Sequence, residues 1–212
     1  MATTVRRTNN RERILHTARE MLYRQGYNGT SVDDIVEASG VSKSNFYYHF
    51  PSKEDLGIAV LSLRREEMES LLRRTLRDEG RSPASRLAAF LTAILDHQES
   101  DLDRHGCPFG NLAAEMTDHS ERIRCFLSGL FADLASELAD VIRVGQASGQ
   151  VRRDVDPVEL ATLILQAVQG MQLIMKCDKD ARPARMSGAL LVELIKAPRK
   201  SETDERTQRL TL

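Results

Sequence analysis

What shapes the fold of this chain first is a periodicity it lacks. No segment of the 212 residues alternates apolar and polar side chains as a half-buried strand requires. Leu, Ala, Glu and Arg recur instead at the spacing of helix faces, so the expected fold class is all-α. The length allows one large domain or two small ones with a sizeable core.

Punctuation residues place the helices. Asn9 or Asn10 can cap a first helix with Ile14, Ala18, Met21 and Leu22 on one face and Gly26 as its stop. A second begins in TSVDDIVEASG, where Thr30 and Asp33 stand as cap and third position, Val32, Ile35 and Val36 face inward, and Gly40 ends it. A third, short helix is closed by Pro51. Ser52 and Asp55 open a long helix that is expected to run to Gly80, and Ser82 with Pro83 opens the next. HGCPFGN reads as a break before a short helix LAAEM, followed by a helix from about Ser120 to Ala147. Asp156 and Pro157 start ELATLILQAVQGMQLIM, and PARMSGALLVELI forms the last helix. The polar tail KSETDERTQRLTL lacks a core-forming pattern and reads as disordered.

The chain is only 5% aromatic, yet SKSNFYYHFPSK places four rings within five positions of a polar segment. Two short helices joined by a glycine-containing turn have the form of a helix-turn-helix. In it Gly40 takes the turn, Val41 plugs the gap between the helices and Ser42 caps the second. Phe46 and Phe50, four apart, pack inward, which leaves Tyr47, Tyr48 and His49 facing out beside Lys43 and Lys53. Hydroxyl, imidazole and ammonium donors in that arrangement suit phosphate oxygens.

Net charge is near zero, but the N-terminal end is locally basic. Six arginines (Arg6, Arg7, Arg11, Arg13, Arg19, Arg24) precede residue 31, against Glu12 and Glu20. That imbalance reads either as a phosphate footprint or as solvated helix charge.

From Arg11 to Leu56, and in TSVDDIVEASGVSKSNFYYHFPSKEDL above all, the chain resembles the DNA-binding domain of the TetR/AcrR family of bacterial transcriptional regulators. The resemblance implies a homodimer binding a palindromic double-stranded DNA operator. It implies a three-helix reading head (1–51), a helical domain that binds an unknown small-molecule inducer and dimerises (52–197), and the tail (198–212). It carries Tyr47, Tyr48, His49 and Lys53 over as phosphate contacts, Thr30 and Ser31 as contacts at a helix N-terminus, and Lys43, Ser44 and Asn45 as base readers. Ser42 and the basic Arg6 and Arg7 complete the expected DNA-binding set. Val36 stands where the family usually has alanine, and Ser44 and Asn45 where glycine and threonine are frequent, so target sequence is not transferable.

Beyond residue 60 the resemblance thins. The all-round apolar helix of 159–175 implies burial on two sides, one its own core and one a partner. With the last helix it is expected to form a four-helix dimer seam through Leu165, Val168, Gly170, Leu191 and Leu194. An apolar effector site is expected from Phe90, Ile94, Cys107, Phe109, Phe126, Met171 and Met175, a set that equally describes a core. Pro108 as first helical residue makes Cys107 an N-cap, where the helix dipole with Arg104 and His105 favours a thiolate. Cys107 therefore reads as a redox or electrophile sensor or as a structural, pocket-lining residue; Cys125 and Cys177 read as core thiols.

Three cysteines without ligand spacing suggest neither disulfides nor zinc, and no cofactor or metal is expected. No leader and no apolar run of about 18 to 20 residues is evident, so a cytoplasmic protein without a membrane partner is expected. An enzyme built on Cys107, His105, His119 and Glu115 lacks any elbow or oxyanion-hole sequence. A helical adaptor has no use for the Lys, Ser, Asn, Tyr, Tyr, His face. The sequence thus points to a ligand-responsive repressor.

Overall fold

A computed structural model describes residues 9–100 and 105–197. Arg6, Arg7, Arg104 and the tail 198–212 lie outside them. The described residues form nine helices and no strand: α1 (Asn10–Gln25), α2 (Val32–Ser39), α3 (Lys43–His49), α4 (Lys53–Arg74), α5 (Pro83–Ser100), α6 (Pro108–Met116), α7 (Glu121–Ala147), α8 (Pro157–Asp178) and α9 (Arg182–Ile195).

Side-chain caps set most of the starts. Asn9, Ser42, Ser52, Ser120 and Asp156 each accept a backbone N–H of the first turn, a contribution of about 1 kcal/mol apiece. At α2 the expected cap shifts by one residue. Ser31, not Thr30, caps the helix, and Asp34 at the third position returns the bond to the Ser31 N–H at 2.7 Å. Thr30 is instead fully buried, with its hydroxyl donating to the Gly26 carbonyl at 2.8 Å.

Two other boundaries differ from expectation. Helix α4 stops at Arg74 rather than near Gly80: Thr75 leaves the helical backbone angles, with φ −127° and ψ −84°, and the Arg77 N–H turns back to the Leu72 carbonyl. Helix α6 begins at Pro108 with Cys107 as its cap, as expected of those two residues, so PFGN belongs to the helix and not to the break expected over HGCPFGN. Proline at a first position loses no helical hydrogen bond.

Helices α1, α2 and α3 pack together, and Ile14, Ala18, Ile35, Phe46 and Phe50 are buried in their centre. Burial of a ring such as Phe46 contributes roughly 1.5 to 3 kcal/mol. Gly40 adopts φ 63°, a left-handed conformation glycine takes without steric cost, and this sets the angle between α2 and α3. Helix α4 leaves this group and joins α1 to α5 and α7. In the larger part, α7 packs along α8, and α9 closes on α5 and α8. A short antiparallel bridge, with Arg152 N–H donating to the Ile195 carbonyl, ties the α7–α8 connection to the end of α9.

Helix α8 is long and apolar enough to cross a membrane by composition alone. Leu160, Ala161, Ile164, Val168 and Met175 on one side are nevertheless buried in the protein core. The cysteine expectation needs correction: Cys125 and Cys177 are exposed, not core thiols. Cys125 lies on the outer side of α7 and donates to Glu121 at 3.2 Å. Helical spacing alone could not tell the outer side of α7 or α8 from the inner.

Candidate functional site

The outward side of α3 is built from its first residue. Ser42 caps it through the Asn45 N–H, and its hydroxyl lies 3.1 Å from that of Ser44. Lys43 projects into solvent and pairs with Asp33 of α2 at 2.7 Å, which holds its pKa above the usual lysine value. Phe46 is anchored, so Tyr47 and Tyr48 emerge on the far side, with Tyr48 81% exposed and packed edge-on against His49. Asn45 is half-buried, and its Oδ1 is buried with no hydrogen-bond partner. A two-pronged grip on an adenine edge therefore requires this amide to swing outward.

Lys53 opens α4 at the rim of this surface. Its ammonium donates to the Tyr27 carbonyl at 2.6 Å and sits 4.2 Å from the Tyr27 ring centre. Partial burial draws its pKa down, against the pull of Glu115 and Asp34. An ammonium has three donors, so two remain for phosphate. Ser31 is exposed at the start of α2, whereas the buried Thr30 presents no hydroxyl to the surface.

The arginines of α1 form no single basic stripe. Arg13 donates to the Ser39 carbonyl at 2.7 Å and clamps the end of α2, Arg11 lies over the Phe50 ring, and Arg19 pairs with Glu67 of α4. Arg11 and Arg13 thus hold the three helices together, and Arg19 ties α1 to α4.

A cavity of about 340 Å³ lies between α1, α4 and the larger helices. Phe90, Ile94, Cys107 and Phe109 line it as expected, with Phe131, Leu134 and Leu165; Phe126, Met171 and Met175 do not. Met175 is buried in a separate small cluster with Leu95, Ala181 and Ala184, against which Met171 packs. Phe126 is half-buried and packs on the main core. Cys107 caps α6, its sulfur accepting the Gly110 N–H at 3.4 Å. The expected thiolate is not favoured: burial pushes the thiol pKa up, against weaker opposing bonds from Gly110, the Gln169 amide and Phe109. The dipole at one helix start does not offset loss of water around the sulfur.

Sequence reasoning missed the residues that join this cavity to the reading surface. Glu115 of α6 accepts the Asn28 N–H at 2.8 Å in the turn between α1 and α2. Gly26 in that turn has φ 82°, and a Cβ there would stand 2.7 Å from the Glu115 carboxylate. Tyr23 of α1 donates to the Gly106 carbonyl at 2.9 Å, just before α6. Helix α6 therefore touches the cavity through Cys107 and Phe109 and the head through Glu115. Only its spatial neighbours distinguish Glu115 from a solvated helix carboxylate.

The expected seam residues divide. Leu194 and Gly170 are exposed, and a Cβ on Gly170 would meet nothing within 4 Å, but Val168 and Leu191 are buried in the subunit's own core, and Leu165 and Val168 line the cavity. The free aliphatic side of α8 and α9 consists of Leu163, Leu173, Ile174, Met186, Leu190 and Leu194.

Comparison with known proteins agrees with this geometry. Residues 14–60 match the family model described as bacterial regulatory proteins, tetR family, and residues 83–189 match a tetracyclin repressor-like C-terminal domain. The chain is 32% identical over 177 residues to the HTH-type transcriptional repressor DhaR of Mycobacterium sp. (strain GP1), covering 84% of this chain and 87% of that protein. It is 22% identical to the HTH-type transcriptional repressor NemR of Escherichia coli (strain K12) over 89% of this chain and 94% of that one. Among solved structures, a regulatory protein TetR from Rhodobacter sphaeroides superposes with a TM-score of 0.81 at 27% identity, over 87% of this chain and 97% of that one.

Proposed function

The chain belongs to the TetR family of bacterial transcriptional regulators, and from that premise we propose that it is a cytoplasmic, ligand-responsive repressor binding a palindromic operator as a homodimer. The observation that carries the reading is α3. Its buried Phe46 fixes a helix whose other side presents Lys43, Ser44, Tyr47 and Tyr48 outward. Tyr47, Tyr48, His49, Lys53 and Ser31 serve the phosphates, and Lys43, Ser44 and Asn45 meet base edges. Division of labour falls at α4, with 1–51 as reading head and 52–197 as inducer-binding and dimerising part. The aliphatic side of α8 and α9 supports the dimer, since these two helices pack together and leave several large aliphatic side chains exposed to water. The cavity supports the inducer site, and α6 is the element through which an occupant acts on the head. The direct test is a gel shift of the full chain on DNA from its own upstream region against nonspecific competitor. Retention of a discrete complex supports the reading, and equal loss to competitor refutes it.

A second reading, a thiol-based sensor acting through Cys107, draws support from the position of that sulfur in the cavity wall. A solved structure of the 22% identical NemR of E. coli is described as its reduced form. The raised thiol pKa weighs against it. Treatment with a mild electrophile separates the readings: release of DNA by the natural protein but not by Cys107→Ser favours the sensor.

A further inference from the structure

The cavity has a chemistry that narrows its occupant, a deduction that rests on the inducer-binding reading above. Its walls are mostly apolar, with Phe90, Phe109 and Phe131 among them. The end made by α1 and α4 carries charges, but these already face each other. Arg19 Nη1 lies 3.0 Å from one Glu67 oxygen, and Arg64 Nη1 donates to the other at 3.1 Å. Glu20 stands 3.5 Å from Arg19 Nε, an ion pair though not a hydrogen bond. Two guanidiniums thus meet two carboxylates, and the third cation of the lining, Arg74, is exposed to water. An anionic occupant would have to displace Glu67 to gain a partner, and a cationic one would enter beside three guanidiniums. Either would also give up its hydration, so the site favours a neutral molecule.

A second, independent observation comes from α8. Gln172 reaches the same cavity while only 4% exposed, and its Oε1 is buried with no hydrogen-bond partner among the described residues. The other glutamine of the wall, Gln169, is engaged with the Cys107 sulfur. A buried acceptor stays unfavourable until a donor reaches it, and neither a hydrocarbon, an ether nor a carboxylate brings one. A hydroxyl does. Because a hydroxyl also accepts, it pairs with a glutamine amide whichever way round that amide is turned.

We propose that the effector is a neutral, largely apolar alcohol or phenol, its body against Phe90, Phe109 and Phe131 and its hydroxyl donating to Gln172 Oε1. Gln172 sits on α8 next to the exposed Leu173, so a hydroxyl bound there touches the helix on which the proposed dimer is built.

The experiment is calorimetric titration of the full chain with 4-phenylbutan-1-ol, its methyl ether and 4-phenylbutanoate, one body with three head groups. The alcohol should bind about tenfold more tightly than the ether, the effect of one hydrogen bond to a buried acceptor, and the carboxylate should bind more weakly than the alcohol. Gln172→Met, an unbranched apolar replacement that adapts to a buried site, should bring alcohol and ether to equal affinity. The comparison of the three compounds on the natural protein needs no variant, so the idea stays testable even if Gln172→Met fails to fold. An ether or a carboxylate that binds as tightly as the alcohol, no binding of the alcohol, or a preference for the alcohol that survives Gln172→Met would each overturn it. Since the titrations contain no DNA, such a failure leaves operator binding standing; a chain that prefers the alcohol but binds no operator supports the site and defeats only the regulator reading.

Discussion

Two exposed surfaces of this molecule both carry large side chains, and they differ in kind. On α3 the exposed groups are rings with polar edges, Tyr47 and Tyr48, beside Lys43. On α8 and α9 they are Leu163, Leu173, Ile174, Met186, Leu190 and Leu194, with no nitrogen or oxygen in any of those side chains. A phenol gains from a hydrated, charged partner such as a phosphate backbone, whereas an aliphatic patch gains only from a surface as dry as itself. Exposure alone therefore assigns no role; the chemistry of the exposed atoms selects the partner.

Neighbouring residues of α9 should diverge most sharply. Leu190→Arg places a charge in the proposed seam, an uncompensated burial typically worth several kcal/mol, and should yield folded monomer in sedimentation without operator binding. Leu191→Arg, one residue on and inside the subunit core, should instead lower the melting temperature of the subunit itself. Identical behaviour of the two variants would erase the distinction between core and seam.

A similar pair tests α3. Phe46→Ala should cost roughly 3 to 5 kcal/mol of stability by denaturant titration, because the ring is fully buried. Tyr48→Ala should leave stability within about 0.5 kcal/mol while weakening DNA binding. A loss of stability in Tyr48→Ala would mean that its ring has a structural role.

Asn45→Ala should relax base preference by roughly 1 to 3 kcal/mol at one position in each half-site, read from binding to single-base operator variants. Lys53→Ala should weaken all sequences alike. Smallest is Glu115→Gln, which keeps an acceptor for Asn28 N–H but removes charge: stability should change by no more than about 1 kcal/mol. Its informative readout is ligand-induced release of DNA, which should diminish if α6 is the connection.

The helices and the short α3 were legible in the sequence because glycine, proline and capping residues mark their ends, and because a run of rings in a polar segment must divide between core and surface. Boundaries failed where a turn of the backbone decided them without a glycine or proline to mark it, as at Thr75 after α4. The seam was half legible. An all-round apolar helix announces two buried sides, yet the sequence does not say that Val168 points inward while Ile174 points out. The bonds that Glu115, Tyr23 and Arg13 make were not legible, because their partners are backbone atoms far along the chain, at Asn28, Gly106 and Ser39. The cavity was partly legible: Phe90, Ile94, Cys107 and Phe109 were anticipated, but its charged end, Arg19 with Arg64 and Glu67, was not.

On the proposed reading, two copies of the α3 surface, held by the aliphatic sides of α8 and α9, read DNA together. Selection of bound sequences from a random DNA pool by the full chain is the decisive test. A palindromic site should emerge whose half-sites lie about one helical turn, roughly 10 base pairs, apart or a multiple of that. Affinity for the site should fall with salt at a log-log slope near roughly −7, for about eight phosphate contacts per dimer. Recovery of no preferred sequence, or of a site without two-fold symmetry, is incompatible with paired reading heads.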